Sequence, residues 1–464
     1  MSKRKKSSKK GLPATSLPVL RTNAAGIDIG SRSHYVAGPV PEDNSINVKE
    51  FGTTTPELHD LAEWLLEQEV ETVAMESTNV YWIPVFEVLE SYGFEVVLAN
   101  ARYINKVPGR KTDVLDCQWI QLLHSCGLIR GSFRPSAAIC ALRTIKRQMA
   151  NLVEQRTKAV QWMQKSLDQM NIRVHHAVSE LTGQTGLRIV QAIVDGERDV
   201  YKLATLKDRR CKKSIDEIAA HLTGTWREEH LFNLKMALEL FQKMNEMIQI
   251  YEQRILDEIE ALHPPERADE PVPAHPNINK ERAIKYRGEH KTREALWRLT
   301  GLDLTRIDGI SGGAALVVIT EVGFDMSSFP TEKDFVSWLR LSPKHGVTGG
   351  KQIQAKKKNA MGATRIASAL RMASLSLKQS KTALGAYFRR LARRKDASVA
   401  IFATARKLAT LIYRMLRYGQ EYVDMGEQAF EKQFEERKLK GMKSSLASMG
   451  YMIVPIEEDF QVSG

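Results

Sequence analysis

Residues 24–30 read AAGIDIG, and the next two stretches, SHYVAGPV (33–40) and INVKEFGTT (46–54), repeat its alternation of apolar with small or polar residues. Alternation with period two is the mark of a strand, and Gly38 and the Pro41-Glu42-Asp43-Asn44 cluster punctuate it. The segment therefore reads as three strands joined by tight turns. Thr55-Pro56 opens a helix with Leu58, Leu61, Leu65 and Leu66 at helical spacing, the proline suiting its first turn. ETVAME (71–76) is a fourth strand, VYWIPVFEVLESY (80–92) a helix that Gly93 ends, and FEVVLAN (94–100) a fifth strand. After the basic connector ARYINKVPGRK (101–111), DVLDCQWIQLL (113–123) reads as an amphipathic helix.

The order β-β-β-α-β-α-β, closed by that helix, is an RNase H-like plan. From about 140 to 262 the pattern is almost wholly helical, and Phe241, Met244, Ile248, Tyr251, Ile255 and Leu262 keep a spacing of three or four that fits a long hairpin or coiled coil. Residues 264–291 carry four prolines by Pro273, lack periodicity and read as a linker. A mostly helical domain follows, with a turn GISGG (309–313), the segment KDFVSWLRLSP (333–343), the loop KHGVTGGKQIQ (344–354) and basic helices to about 435. The fold class is α/β followed by all-α.

Lys and Arg number 68 against 55 Asp and Glu, a formal charge of +13 that points to a polyanionic partner, nucleic acid first. The charge is unevenly spread. Residues 23–100 hold two basic and fourteen acidic residues, whereas 331–420 hold twenty basic and three acidic ones. The second region, and less strongly 101–150, carries the expected phosphate footprint. No stretch is apolar for the roughly 18 residues of a membrane span, and MSKRKKSSKK is not followed by the apolar core of a signal peptide. A cytoplasmic, nucleoid-associated protein is expected. Cys117, Cys126, Cys140 and Cys211 show no CxxC spacing and read as reduced thiols.

Four carboxylates stand out. Asp28 occupies a strand between Gly26 and Gly30, where patterning asks for an apolar side chain and an unpaired charge is costly. Glu76 ends a strand in the same way, and Asp113 and Asp116, three apart, share one helix face. Such a set can hold two Mg²⁺ about 4 Å apart, the arrangement that serves phosphodiester chemistry. A D-x-x-D pair alone also occurs on ordinary solvated helices. Trp82, Trp119 and Trp338 lie on apolar helix faces and read as core. GISGG reads either as a helix-hairpin-helix grip on phosphate or as a packing corner.

GIDIGSRSHYV (26–36), VAMESTNVYWIPVFEVLE (73–90), GRKTDVLDCQWIQLLHSCGLIRGSFRP (109–135), DLTRIDGISGGAALVVITEVG (303–323), FVSWLRLSP (335–343), TGGK (348–351) and ALGAYFRRLARR (383–394) together resemble the DEDD transposases, the bridge-RNA-guided recombinases of the insertion sequence one-hundred-and-ten family. The resemblance runs from about 24 to 425. It implies that Asp28, Glu76, Asp113 and Asp116 are the Mg²⁺-binding D, E, D, D set of a RuvC-like domain. It implies a nucleophile in the C-terminal domain that forms a phosphodiester with DNA, a structured non-coding guide RNA that pairs with donor and target DNA, and a dimer assembling to a tetramer. The family's nucleophilic serine falls here on Thr348. A threonine hydroxyl can attack phosphorus, though its methyl crowds the approach. The nearest upstream serine, Ser342, is six residues away, and TGGK also reads as a turn whose amides hold a phosphate without a covalent step.

The domain plan that follows is a basic arm expected to be disordered (1–22), a RuvC-like RNase H-fold domain (23–138), a helical or coiled-coil region (139–263), a Pro-rich linker (264–291), a C-terminal transposase domain (292–435) and a tail (436–464). Arg110, Lys111, Lys351, Lys356, Lys357, Lys358, Arg389, Arg390, Arg393 and Arg394 are the expected contacts to nucleic acid. Two other functions fit parts of the sequence: a RuvC-like metal-dependent nuclease using water, which leaves TGGK and the basic region idle, and a non-catalytic nucleic-acid-binding scaffold, against which the presence of all four carboxylates argues.

Overall fold

The structure, a computed structural model, describes residues 17–43, 45–77, 79–99, 112–268, 270–342 and 364–453, and the backbone of 345–348 and 351–354. It divides into two compact units, 1–134 and 135–464.

The first unit is built on a five-stranded sheet. Its strands are β1 (Ala24–Ile29), β2 (His34–Ala37), β3 (Val48–Phe51), β4 (Thr72–Glu76) and β5 (Glu95–Ala99), in the spatial order β3-β2-β1-β4-β5. β1, β2 and β3 pair antiparallel, while β4 runs parallel to β1 and β5 parallel to β4. Helix α1 (Thr55–Glu67) starts at Thr54, whose side chain and that of Glu57 form a capping box. With α2 (Trp82–Ser91) it covers one face, where Ile27, Ile29, Val73 and Met75 meet Leu61, Leu65, Val85 and Leu89. Each such side chain contributes about 1.5–3 kcal/mol by leaving water. On the opposite face Ala74 and Ala99 meet Ile120 of α3 (Asp113–Ser125). Trp82 and Trp119 pack against these two cores, as their apolar faces predict.

In the second unit, α4 (Ala137–Gln169) and α9 (Glu228–Glu260) pack along one another. They run antiparallel, since Arg156 donates to Asn245 and Lys146 lies near Glu252. Ala159, Met163 and Leu167 bury against Leu234 and Phe241. Short helices α5 (Val174–Ala177), α6 (Gln184–Val194), α7 (Val200–Thr205) and α8 (Ile215–Leu222) fold over the end of this pair and share its core.

The stretch 264–291, read as a linker, contains a helix, α10 (Ile278–Tyr286), capped by Asn277. The reason lies outside the stretch. Arg293, on α11 (His290–Thr300), is buried and binds Asp303 at 2.7 Å, Glu281 at 2.9 Å and the carbonyl of Pro273 at 2.7 Å. Lys280 donates to the carbonyl of Ile307, and the His275 ring meets that of Thr305. Sequence periodicity has no access to such long-range anchors. Ahead of GISGG the chain forms a short 3-10 turn, Leu304–Arg306.

After GISGG comes α12 (Gly312–Val322), and then α13 (Glu332–Trp338). Trp338 joins Phe329, Phe335 and Tyr413 in an aromatic cluster. The stretch expected as the loop 344–354 holds a hairpin, β6 (His345–Thr348) and β7 (Lys351–Gln354), paired antiparallel with Thr348 opposite Lys351. That register leaves two residues between the strands, and both are glycine in the sequence, the pairing a tight hairpin favours. Helices α14 (Arg365–Ser376), α15 (Ala383–Arg394), α16 (Ala397–Tyr418) and α17 (Glu427–Ala447) complete the unit, α17 crossing the boundary expected at 435.

Candidate metal centre

Strand alternation decides which way β1 and β4 aim their carboxylates. Ala25, Ile27 and Ile29 enter the α1/α2 core, so Gly26 and Asp28 face α3. Gly26 sits opposite Ala74 in the parallel register, which puts Asp28, two residues on and on the same face, beside Glu76. Gly26 also sets how close α3 comes. A Cβ built there would lie 2.2 Å from the Gln121 amide nitrogen and 2.6 Å from the Cys117 carbonyl oxygen. Gln121 donates from its side chain to the carbonyl of Ala24, tying the helix to the strand. Thr112 caps α3 through the Leu115 amide, so Asp113 and Asp116 fall in its first turn, where the helix dipole favours negative charge.

The result is a convergence of Asp28, Asp113 and Asp116, which offer carboxylate oxygens all within 4.8 Å of one another. Glu76 lies outside that trio but close enough for its charge to be felt. Burial, then Asp116, Asp113 and Glu76, push the Asp28 carboxyl up to about 6. Four negative charges at one end of a sheet repel one another unless a cation is shared. Oxygen-only donors suit a hard divalent ion rather than the nitrogen and sulfur sets that zinc prefers. The donor chemistry therefore fits a metal. Behind the site, burial and then the charge of Asp28 push the Cys117 thiol up to about 12, so it stays protonated and unreactive. The buried His34 carries a ring Nδ1 without a hydrogen-bond partner among the described residues.

The expected nucleic-acid contacts divide into three groups. Arg110, Lys111, Lys356, Lys357 and Lys358 lie outside the described residues, and Thr348 and Lys351 are described by backbone alone. Arg389 and Arg390 are already engaged, Arg389 with Glu427 at 2.6 Å and Arg390 with Glu431, both acids on α17. Arg393 and Arg394, on the last turn of α15, have no ion-pair partner among the described residues. The helix start at GISGG is also occupied: the amide of Gly312 donates to Glu289 at 3.1 Å, and Ser311 caps Ala314. Sequence reading missed Gly26 and Gln121 as the pair that sets the α3–β1 spacing. The only available signal was the run of small residues Ala24-Ala25-Gly26 ahead of Asp28.

A site that gathers carboxylates at one end of neighbouring interior strands, joined in one chain to a basic helical unit, suits an enzyme acting on nucleic acid. The sequence model of DEDD transposases of the IS110 type matches residues 25–172, and that described as the transposase IS116/IS110/IS902 family matches 301–389, together about half of the chain. The protein is thus a transposase, an enzyme that cuts and rejoins DNA. It belongs to the IS110 family. No curated protein matches the chain.

Proposed function

We propose that the first unit is an RNase H-like, RuvC-like catalytic domain in which Asp28, Glu76, Asp113 and Asp116 hold Mg²⁺, and that Thr348 forms a covalent link to DNA while a structured guide RNA selects donor and target. The observation that carries this reading is the meeting of Asp28, Asp113 and Asp116 within 4.8 Å, from a strand and a helix 85 or more residues apart. The sheet order β3-β2-β1-β4-β5 and its mixed pairing support the fold. The antiparallel α4/α9 pair supports a coiled coil, and the basic second unit supports DNA and RNA as partners. Assembly from dimer to tetramer and a place on the cytoplasmic nucleoid belong to the same proposal. Among the described residues no helix is long and apolar enough to cross a membrane.

When bound, Mg²⁺ would neutralise charge on the scissile phosphate and stabilise the oxygens that attack and leave. The chain supplies the rest. Asp113 and Asp116 are held at the start of α3 by the Thr112 cap, and Asp28 is held by the sheet, so the ligand set is built before substrate arrives. The Thr348 oxygen bonds to phosphorus as one backbone P–O bond breaks, and the departing oxygen takes up a proton in place of the one the hydroxyl releases. The number of phosphoester bonds is unchanged, so rejoining needs no external energy. Lys351, paired across the hairpin from Thr348, is the proposed phosphate partner. The basic residues Arg110, Lys111, Lys356, Lys357, Lys358, Arg393 and Arg394 are proposed to hold the backbone, with Arg389 and Arg390 joining them if α17 releases them.

The test is a denaturant-resistant protein–DNA adduct assayed with the protein's own guide RNA. Thr348→Ala should abolish it and Thr348→Ser should preserve or raise it. Asp28→Ala or Asp116→Ala should abolish it while circular dichroism stays unchanged. An adduct that survives Thr348→Ala moves the nucleophile elsewhere, Ser342 first; cleavage without any adduct establishes the water-using nuclease instead.

A further inference from the structure

One cavity in the second unit has no part in the chemistry above. It encloses about 1120 Å³ among α15, α16, α17 and the turn between the last two. Its walls are apolar and aromatic, formed by Leu384, Tyr387, Leu411, Phe430 and Phe434. Tyr387 meets Phe430 edge-on with centroids 6.4 Å apart, and the Arg390 guanidinium lies 3.3 Å from the centre of the Phe434 ring. That stacking positions a flat cationic surface inside an aromatic cleft, and one nitrogen of Arg390, Nη1, is buried without a hydrogen-bond partner among the described residues.

The lining is also cationic. Arg394, Lys407, Arg437 and Lys438 all belong to it, whereas it carries a single acid, Glu421, and Arg306 holds that at 2.6 Å. Arg394, Lys407 and Lys438 form no ion pair within 4.0 Å among the described residues, although the charge of Lys407 is felt by Glu332. Gln420 and Gln433 add hydrogen-bonding groups to the lining. An apolar ligand alone would leave the cations unused, and a free anion would leave the walls wet. A ligand with a flat π-system joined to phosphate uses both, because bases stack on aromatic and guanidinium planes while phosphates pair with Lys and Arg. The volume exceeds the roughly 300–1,000 Å³ of sites that enclose a drug-sized molecule, which leaves room for a nucleotide with its neighbouring phosphates.

We propose that this cavity receives an unpaired nucleotide of a single strand, its base against Tyr387 and the outer faces of the stacked Arg390–Phe434 pair and its flanking phosphates at Arg394, Lys407 and Lys438. The inference rests on the chain acting on nucleic acid but not on the carboxylate centre or Thr348, which lie on other elements. It assigns to the C-terminal helices a reading of unstacked bases rather than of duplex.

The test measures binding of the full-length protein to short single-stranded oligonucleotides, DNA and RNA in separate arms, each intact or carrying one abasic site, with duplex as a reference. The wild type should lose about fivefold or more in affinity on removal of the base. Phe434→Ala should lose a similar factor with the intact strand and nothing further with the abasic one. Leu411→Trp, which fills the cavity while keeping every cation, should act likewise, and both variants should bind duplex as the wild type does. The arm showing the larger effect identifies RNA or DNA as the source. Cross-linking from a 4-thio or 5-iodo base should map to 383–438. Wild-type single-strand affinity in Leu411→Trp, equal binding of intact and abasic strands, or cross-links that join the cavity to a polypeptide would each overturn the proposal, the last in favour of a protein occupant.

Discussion

His124 shows how much a single side chain can reveal once its surroundings are known. It is buried on α3, its Nε2 lies 2.9 Å from the Thr72 hydroxyl, and burial followed by the nearby Arg21 charge pulls its proton affinity down from 6.5 to about 4. Between those values the unfolded chain takes up a proton that the folded one refuses. Stability from this group is therefore complete above about pH 6.5 and drains away as pH falls toward 4. Amide protection in β4 and β5, corrected for intrinsic exchange, should fall by up to about tenfold per pH unit across that window. His124→Gln should flatten the dependence; an unchanged profile would show that His124 does not govern it. Nothing in the sequence marks this residue, which looks like any histidine on an amphipathic helix. Asp28 was legible for the opposite reason, because a carboxylate in a strand of alanine, glycine and isoleucine breaks the pattern around it.

At the level of elements, the sheet and its helices follow period and punctuation closely, since local sequence decides strand alternation, the Thr54 and Thr112 caps and the stop at Gly93. What escaped were elements held by distant partners. α10 exists because Arg293 and Lys280 bind groups on either side of it, and a stretch rich in proline and charge gives no hint of that. The pairing of α15 with α17 is of the same kind. Glu427 and Glu431 sit against Arg389 and Arg390, so the acidic start of α17 occupies cations that composition alone assigns to phosphate. Replacing both acids with glutamine should free two arginines. The slope of log K against log salt for duplex DNA should then steepen by up to about 1.8, at about 0.9 per phosphate contact. Replacing Arg393 and Arg394 should instead make it shallower by a similar amount. A slope that ignores the acid substitutions would show that α17 stays in place by other contacts.

For the whole molecule, the two units differ in electrical character as well as in fold. Residues 23–100 carry two basic and fourteen acidic residues, and residues 331–420 carry twenty basic and three acidic. Cut between Arg134 and Pro135, the chain should divide its labours. The piece from 135 onward should keep most of the non-specific affinity for nucleic acid and its salt dependence, and residues 17–134, without the basic arm, should keep saturable Mn²⁺ binding with little affinity for DNA. Filter binding and paramagnetic titration of the two pieces check this; strong DNA binding by residues 17–134 would count against it.

The N-terminal family match runs to residue 172, well past the structural division, and so takes in the whole of α4. That helix keeps Ala159, Met163 and Leu167 in the core of the second unit, facing Leu234 and Phe241 of α9. Anyone grafting this N-terminal portion onto another recombinase therefore has a choice of seam. A joint at 172 carries off one rail of a two-rail track and leaves the other with its greasy side bare, a recipe for insoluble hybrids. A joint just ahead of Pro135 leaves both rails in the same hands, and interchangeable parts for this enzyme begin there.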